Sequence, residues 1–242
     1  MSETTATDME TSGTVRLTPL SEYKGSLSSR VYMSLKDAIL TLAYEPGEVL
    51  RKAEICDQLG ISRSPVSEAV ARLAAEGLLR VMPQSGTFVA QLSMDEVREG
   101  AFIREAIELA AVEYVAEFIT DEQITLLRRN LKVQQGLVED QDIQAFYKSD
   151  TAMHNLIMGF TNFKRLPSIA EISWLHVNRA RQLVLPNPRR VSDTLDEHTA
   201  IVDALAARNP SAARSATEFH LGQLIRHLEA VERDRPELFS RS

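Results

Sequence analysis

At 242 residues the chain is too long for one small domain and fits two, and its 44% hydrophobic content is enough for buried cores. A single cysteine, Cys56, excludes an internal disulfide framework and fits a reducing cytoplasm. The net charge of −7 does not exclude a nucleic-acid partner, because residues 23–92 carry eight basic side chains (Lys24, Arg30, Lys36, Arg51, Lys52, Arg63, Arg72, Arg80) against seven acidic ones, a local balance of +1.

No stretch has the apolar length of a membrane span, and the opening MSETTATDMETSG has neither the basic nor the apolar region of a signal peptide. Residues 1–22, rich in Thr, Ser and Glu without periodicity, read as a disordered tail. A helix is expected from Leu27 to Tyr44 on the stripe Val31, Leu35, Ile39 and Leu42, followed by a turn at Pro46-Gly47. A short helix from Lys52 to Leu59, with Ala53, Cys56 and Leu59 on one face, stops at Gly60, where only a residue without a Cβ adopts a left-handed conformation cheaply. Ser62 is placed to cap the next helix, with Pro65 in its first turn, Val66, Ala69, Val70 and Leu73 on its buried face, and Glu68 spaced to pair with Arg72. Leu79–Val81 and Thr87–Ala90, joined by a turn through Met82–Gly86, suit two short strands.

Helix, tight turn, helix and hairpin together resemble the winged helix-turn-helix of the GntR family of bacterial transcription regulators. The residues that carry the likeness are GISRSPVSEAVARLAAEGLL and the wing glycine Gly86. The resemblance implies a DNA-reading domain over 23–92, with Arg63, Ser64 and Ser67 at the N-terminal turn of the second helix facing base edges and phosphates in the major groove. Arg51, Lys52, Arg80 and the wing residues Gln84, Ser85 and Gly86 would lie on the same DNA-binding face. The chain departs from the family at Ser67, where many relatives have Arg; the loss removes a guanine contact of about 1–3 kcal/mol. Lys52 stands where an acidic residue is common and would partly restore phosphate contacts, so the usual operator consensus is not assumed.

From Met94 the pattern is helical to the end, in six segments: 94–118, 121–139, 142–160, 165–184, 191–207 and 211–232. Ser93 and Thr120 can cap their helices, while Pro167, Pro186, Pro188 and Pro210 punctuate the later ones. The expected fold is mainly α: an N-terminal winged helix-turn-helix and, over 93–242, an all-α bundle of six or seven helices. Length and order resemble the sensor (FCD) domain of the FadR-type branch, and six helices rather than seven resemble its VanR-type subgroup.

Several polar residues fall where apolar ones belong. Asp150 and His154 interrupt the stripe Ile143, Phe146, Met153 and Ile157; His198 lies among Leu195, Ile201 and Leu205; His220 lies among Ala213, Ala216, Leu224 and Leu228. Three helices thus turn ionisable groups inward, where each needs a partner. A divalent ion satisfies all four at once, whereas a core histidine bonded to a carbonyl is the ordinary explanation for any one taken singly. The resemblance points the same way, since Asp-x-x-x-His followed by two later histidines is the family's metal pattern, matched here by DTAMH, Glu197-His198 and Phe219-His220. It implies one divalent ion per chain, zinc first, with nickel, manganese or iron open. His176 and His227 read as ordinary packed or half-exposed histidines.

In FIREAIELA, Arg104 occupies the position at which the family's first sensor helix points an Arg toward an effector; the alternative is a surface ion pair with Glu108. Arg179 or Arg181 could add charge to the same cavity. The implied function is a homodimeric, cytoplasmic regulator, a repressor, that binds a near-palindromic double-stranded operator, is modulated by a small organic acid and has no membrane partner. Two alternatives stay open: a metallohydrolase fused to a DNA-binding module, and a regulator whose metal is purely structural.

Overall fold

Ser26 opens the first helix by accepting the N–H of Ser29 on its hydroxyl at 3.2 Å, and α1 runs Leu27–Leu40. The computed structural model describes residues 17–184 and 187–240 and resolves two compact units, Met1–Val89 and Ala90–Ser242. This places the division a few residues before the expected 92/93 boundary.

In the first unit α1 packs on α3 (Arg63–Ala75), and α2 (Lys52–Leu59) packs on α3 as well. Val31, Leu35, Ile39, Ile55, Val66, Ala69, Val70, Leu73 and Leu78 form its dry interior. β1 (Leu79–Met82) and β2 (Gly86–Val89) pair antiparallel, Leu79 opposite Val89 and Met82 opposite Gly86, and the chain at 47–50 adds backbone hydrogen bonds to β2. Gly60 ends α2 at φ 64°, as its lack of a Cβ permits. The wing turn needs left-handed backbone at Gln84 (φ 63°) and Gly86 (φ 126°).

Several local expectations differ from what is observed. Helix α1 stops at Leu40, not Tyr44, because Leu42 turns left-handed (φ 58°) and the Tyr44 N–H returns to the Ala38 carbonyl. On α2 the buried residue is Ile55; Ala53 is exposed and Cys56 only half-buried. Ser62 occupies the N-cap of α3 without a capping hydrogen bond. Glu68 and Arg72 do not pair: Glu68 accepts from the Ser28 hydroxyl at 2.6 Å, and Arg72 stacks over the Tyr32 ring at 3.9 Å, so each finds a better partner on α1. Of the expected tail, residues 1–16 lie outside the described residues, but 17–22 are ordered, with Leu17 buried and the Thr18 carbonyl accepting from Ser34 at 2.8 Å.

The second unit holds seven helices among the described residues: α4 (Met94–Phe118), α5 (Asp121–Glu139), α6 (Ile143–Phe160), α7 (Leu166–Ser173), α8 (Leu175–Val184), α9 (Pro188–Ala206) and α10 (Pro210–Asp234). Ser93 caps α4, and Thr120 with Gln123 forms a capping box on α5. Pro188 and Pro210 each sit at N1 behind a capping Asn, at Asn187 and Asn209; Pro186 lies outside the described residues. The expected helix 165–184 is two, broken at Trp174, so the count behind the VanR-type likeness is seven rather than six. Helix α10 lies along α4 and α9, and α5 lies against α6 and α9. Their shared core includes Val112, Leu127, Met153, Ile157, Ile201 and Leu205. This packing faces α4, α6, α9 and α10 toward one interior region, where the polar residues of the stripes meet.

Candidate functional site

Asp150 and His154 lie one turn apart on α6, His198 comes from the middle of α9 and His220 from α10. All four are buried, Asp150 and His198 completely. One ligand atom from each lies within 4.8 Å of all the others.

The arrangement around the rings decides their chemistry. His154 Nδ1 lies 2.7 Å from Glu108 Oε2, His198 Nδ1 2.7 Å from Gln134 Oε1, and His220 Nδ1 2.7 Å from Glu197 Oε2. Each Nδ1 faces an acceptor. Gln134 is oriented by donating its own NH₂ to Asn130 Oδ1 at 2.7 Å, and Glu197 is gripped by Arg190 through two bonds of 2.7 Å. An Nδ1 that donates leaves Nε2 as a bare lone pair. The Nε2 atoms of His154 and His198 point at Asp150 Oδ1 from 3.3 and 3.2 Å, and none of these three atoms has a hydrogen-bond partner. Three buried lone-pair donors facing one another repel; a cation among them turns that repulsion into ligation. The donors present therefore fit a borderline divalent ion with nitrogen and oxygen ligands.

The charges of the surroundings are consistent with this. Burial pushes the His198 and His220 imidazoles well below their usual pKa, and neighbouring imidazoles and arginines push the same way, so both stay neutral and ligand-competent. Burial would raise the Glu108 carboxyl, but Arg104 and His154 overcome it and hold Glu108 far below the usual range. Arg181 contacts the second Asp150 oxygen and is itself pulled down to about 10 by burial.

Beside His220 opens a narrow cleft of about 30 Å³, room for a water molecule or two, lined by Arg104, Arg181, Arg190, Val184, Thr194 and Leu224. Arg104 does pair with Glu108, at 2.5 Å, but the pair is buried rather than superficial, and its guanidinium also lies 4.9 Å over the Trp174 ring. The pair with Glu108 is therefore not the surface one of the sequence reading, and the same side chain lines the cleft. Arg179 points elsewhere, to the Ala90 carbonyl. His176 approaches Glu96 at 3.4 Å, and His227 bonds the Gln223 carbonyl within its own helix.

In the sequence Gln134 and Arg190 carry no assigned role, Glu108 stands only as the alternative partner of Arg104, and Glu197 only as the neighbour of His198 in the motif. The signal for Gln134 was there: it sits at i+3 from Leu131 and i+7 from Leu127 on the apolar stripe of α5 and is fully buried. In the first unit, Arg63, Ser64 and Ser67 are exposed along the start of α3, and Gln84, Ser85 and Gly86 are exposed in the wing turn. Arg80 is exposed on β1, Arg51 is exposed at the N-cap of α2 and paired with Glu54 at 3.3 Å, and Lys52 is half-buried.

A helix-turn-helix with a wing, followed by a helical unit with an interior polar cluster, is the make-up of a DNA-binding transcription regulator with a separate C-terminal helical unit. Residues 27–89 match the model of the bacterial regulatory proteins of the gntR family, and residues 99–223 match the FCD domain. The chain is 31% identical over 210 residues to an uncharacterized HTH-type transcriptional regulator in an unstable DNA locus of Streptomyces ambofaciens, covering 87% of this chain and 88% of that one. It is 29% identical over 214 residues to the HTH-type transcriptional repressor RspR of Escherichia coli K12, covering 88% and 94%. Among solved structures, E. coli McbR/YncC superposes with a TM-score of 0.74 over 86% of this chain and 99% of that one at 24% identity, a likeness of fold. The chain belongs to the GntR family of bacterial transcription regulators, in the branch that carries an FCD domain. These relatives are regulators, not enzymes, which sets aside the metallohydrolase alternative. Among the described residues no helix is long and apolar enough to cross a membrane.

Proposed function

We propose that this regulator is a repressor that acts in the cytoplasm as a homodimer on a near-palindromic double-stranded operator, and that a small organic acid, bound beside a divalent metal ion in the C-terminal unit, sets its affinity. The repressor direction follows from the likeness to RspR. Arg63, Ser64 and Ser67 would read the major groove, with Arg51, Lys52, Arg80, Gln84, Ser85 and Gly86 on phosphates and the adjacent groove; the exposure of the start of α3 and of the wing turn supports this.

Asp150, His154, His198 and His220 would hold the ion. Zinc is the first choice, and nickel, manganese or iron suit the same donors. When bound, the ion supplies positive charge and an open coordination position for a ligand oxygen. Arg104, Arg181 and Arg190 would orient the carboxylate in the cleft, since a planar guanidinium offers two parallel N–H donors. The effector acts by favouring one arrangement of the two DNA-binding units, and only to the extent that it binds that arrangement more tightly.

The single observation that carries the reading is the set of orphaned lone pairs, Asp150 Oδ1, His154 Nε2 and His198 Nε2, aimed at one another in a buried space beside three arginines. The test is metal analysis of protein purified without chelator. One ion per wild-type chain, lost in Asp150→Asn and in His198→Ala, is expected; a folded wild-type protein that neither contains nor takes up a metal sinks the reading. A purely structural metal is distinguished by His198→Ala combined with His220→Ala, which would then unfold the protein rather than leave a folded, effector-blind regulator. For the DNA half, Arg63→Ala should abolish the band shift with the protein's own promoter region, and undiminished binding refutes it.

A further inference from the structure

Helix α8 is ten residues long and carries two buried arginines two positions apart. Residues at i and i+2 on a helix point some 200° apart, so the two side chains leave opposite faces of α8. Arg181 goes to the metal-site side, where it contacts the Asp150 carboxylate, lies 4.9 Å over the Tyr147 ring and lines the cleft. Arg179 goes the other way. It is 1% exposed, and its Nη2 donates to the Ala90 carbonyl at 2.5 Å.

Ala90 is the first residue after the DNA-binding unit. The residues that follow it are held from another side by the C-terminal segment. The Leu92 N–H donates to the Leu238 carbonyl at 2.9 Å, the Ser240 N–H donates to the Leu92 carbonyl at 2.8 Å, and the Gln91 side-chain amide donates to the Glu237 carbonyl at 2.9 Å. The chain leaving the wing is thus clasped between α8 and the C-terminal segment. Arg179 is an odd choice for a merely packed position. Burial pulls its guanidinium down to about 10, its Nε has no partner, and among the described residues no carboxylate pairs with it directly, Glu96 acting only at longer range. An uncharged side chain would fill the space at lower cost. What the guanidinium adds is reach to a backbone carbonyl of the linker.

We propose that α8 transmits the state of the sensor site to the DNA-binding unit, with Arg181 responding to whatever shares Asp150 and Arg179 acting as the positioning residue that carries the response to the linker. The inference rests on the metal reading above. A carboxylate shared with a dication attracts Arg181 less, and a ligand carboxylate in the cleft attracts it more. Helix α8 is short and packed against α4 and α10, so it shifts as a unit, and small helix shifts of about 1–2 Å are how packed sensors commonly relay occupancy. Because Arg179 is fixed to the same helix, the shift is delivered to the Ala90 carbonyl.

The test is hydrogen–deuterium exchange over residues 90–96 of the full-length protein, with and without Zn(II) as the probe. In wild type, Zn(II) should change exchange in this segment by about threefold or more. Arg179→Met should bind Zn(II) as wild type does, which also shows that it is folded, yet its linker should no longer respond. Arg179→Lys keeps a donor and should restore part of the response; it carries the test if the Met variant fails to fold. A linker that responds to Zn(II) equally in wild type and in the Arg179 variants overturns the proposal, because a structural role alone predicts that result. If wild type binds Zn(II) with no change over 90–96, this inference falls and the metal reading stands; if wild type takes up no metal, both fall.

Discussion

Gln134→Leu tests whether the metal site is built by its supporting hydrogen bonds or only by its ligands. Gln134 is fully buried, and its Oε1 lies 2.7 Å from His198 Nδ1. Leucine has nearly the same volume but no acceptor. With the acceptor gone, the His198 ring can move its proton to Nε2 and satisfy it on Asp150 Oδ1, 3.2 Å away, which abolishes the ligand. Loss of such an orienting partner weakens metal binding by about 10–100-fold, or about 1.4–2.8 kcal/mol. The orphaned Asn130 and His198 groups add an apo-state cost of about 1–3 kcal/mol. The assay is a Zn(II) titration followed by tryptophan emission, because Trp174 is the only tryptophan and its ring centre lies 6.4 Å from that of His154. A folded Gln134→Leu protein that binds Zn(II) as tightly as wild type would refute the argument that this amide sets the ligating tautomer.

Two further outcomes follow from the buried charges. Arg190→Ala removes the partner that holds buried Glu197 through two bonds, and the uncompensated carboxylate should cost about 3–5 kcal/mol in urea unfolding; a loss under about 1 kcal/mol would contradict the pairing. Metal-free protein should lose stability as pH falls below the ordinary imidazole value of 6.5. His198 and His220 are depressed in the folded state, so the unfolded chain takes up protons there that the folded chain does not. Glu108, also depressed when folded, adds a second loss below its ordinary value of 4.5. Urea midpoints of chelator-treated protein at pH 7.5, 5.5 and 4 check both windows, and a flat profile from 7.5 to 5.5 would show that the imidazoles are not buried neutral.

The four residues of the buried cluster were legible because a bundle helix has a strict apolar period, and Asp150, His154, His198 and His220 each break it. The same logic reaches Gln134, whose place on the α5 stripe is just as anomalous, though an amide draws less notice than a charge. It fails for Arg104 and Glu108. An i,i+4 Arg–Glu pair looks the same in sequence on a wet or a dry face, and only the packing of α7 and α8 against α4, with Trp174 over the guanidinium, makes it an interior pair. The break at Trp174 was likewise hidden, since the residues on either side continue a helical pattern and no Gly or Pro marks the stop.

By itself the sequence determined the winged helix-turn-helix and the helical character of the second half, the turn at Gly60, the buried face of α3 and which residues could not be left unpartnered inside the second half. Those follow from local backbone preference and from the price of burying a polar group, both written in spacing along the chain. Tertiary structure alone decided which imidazole nitrogen is free, which acceptor fixes each ring, and that the arginines of α8 face a carboxylate on one side and the linker carbonyl on the other. Those depend on the relative rotation of helices far apart in sequence, and no local period encodes that rotation.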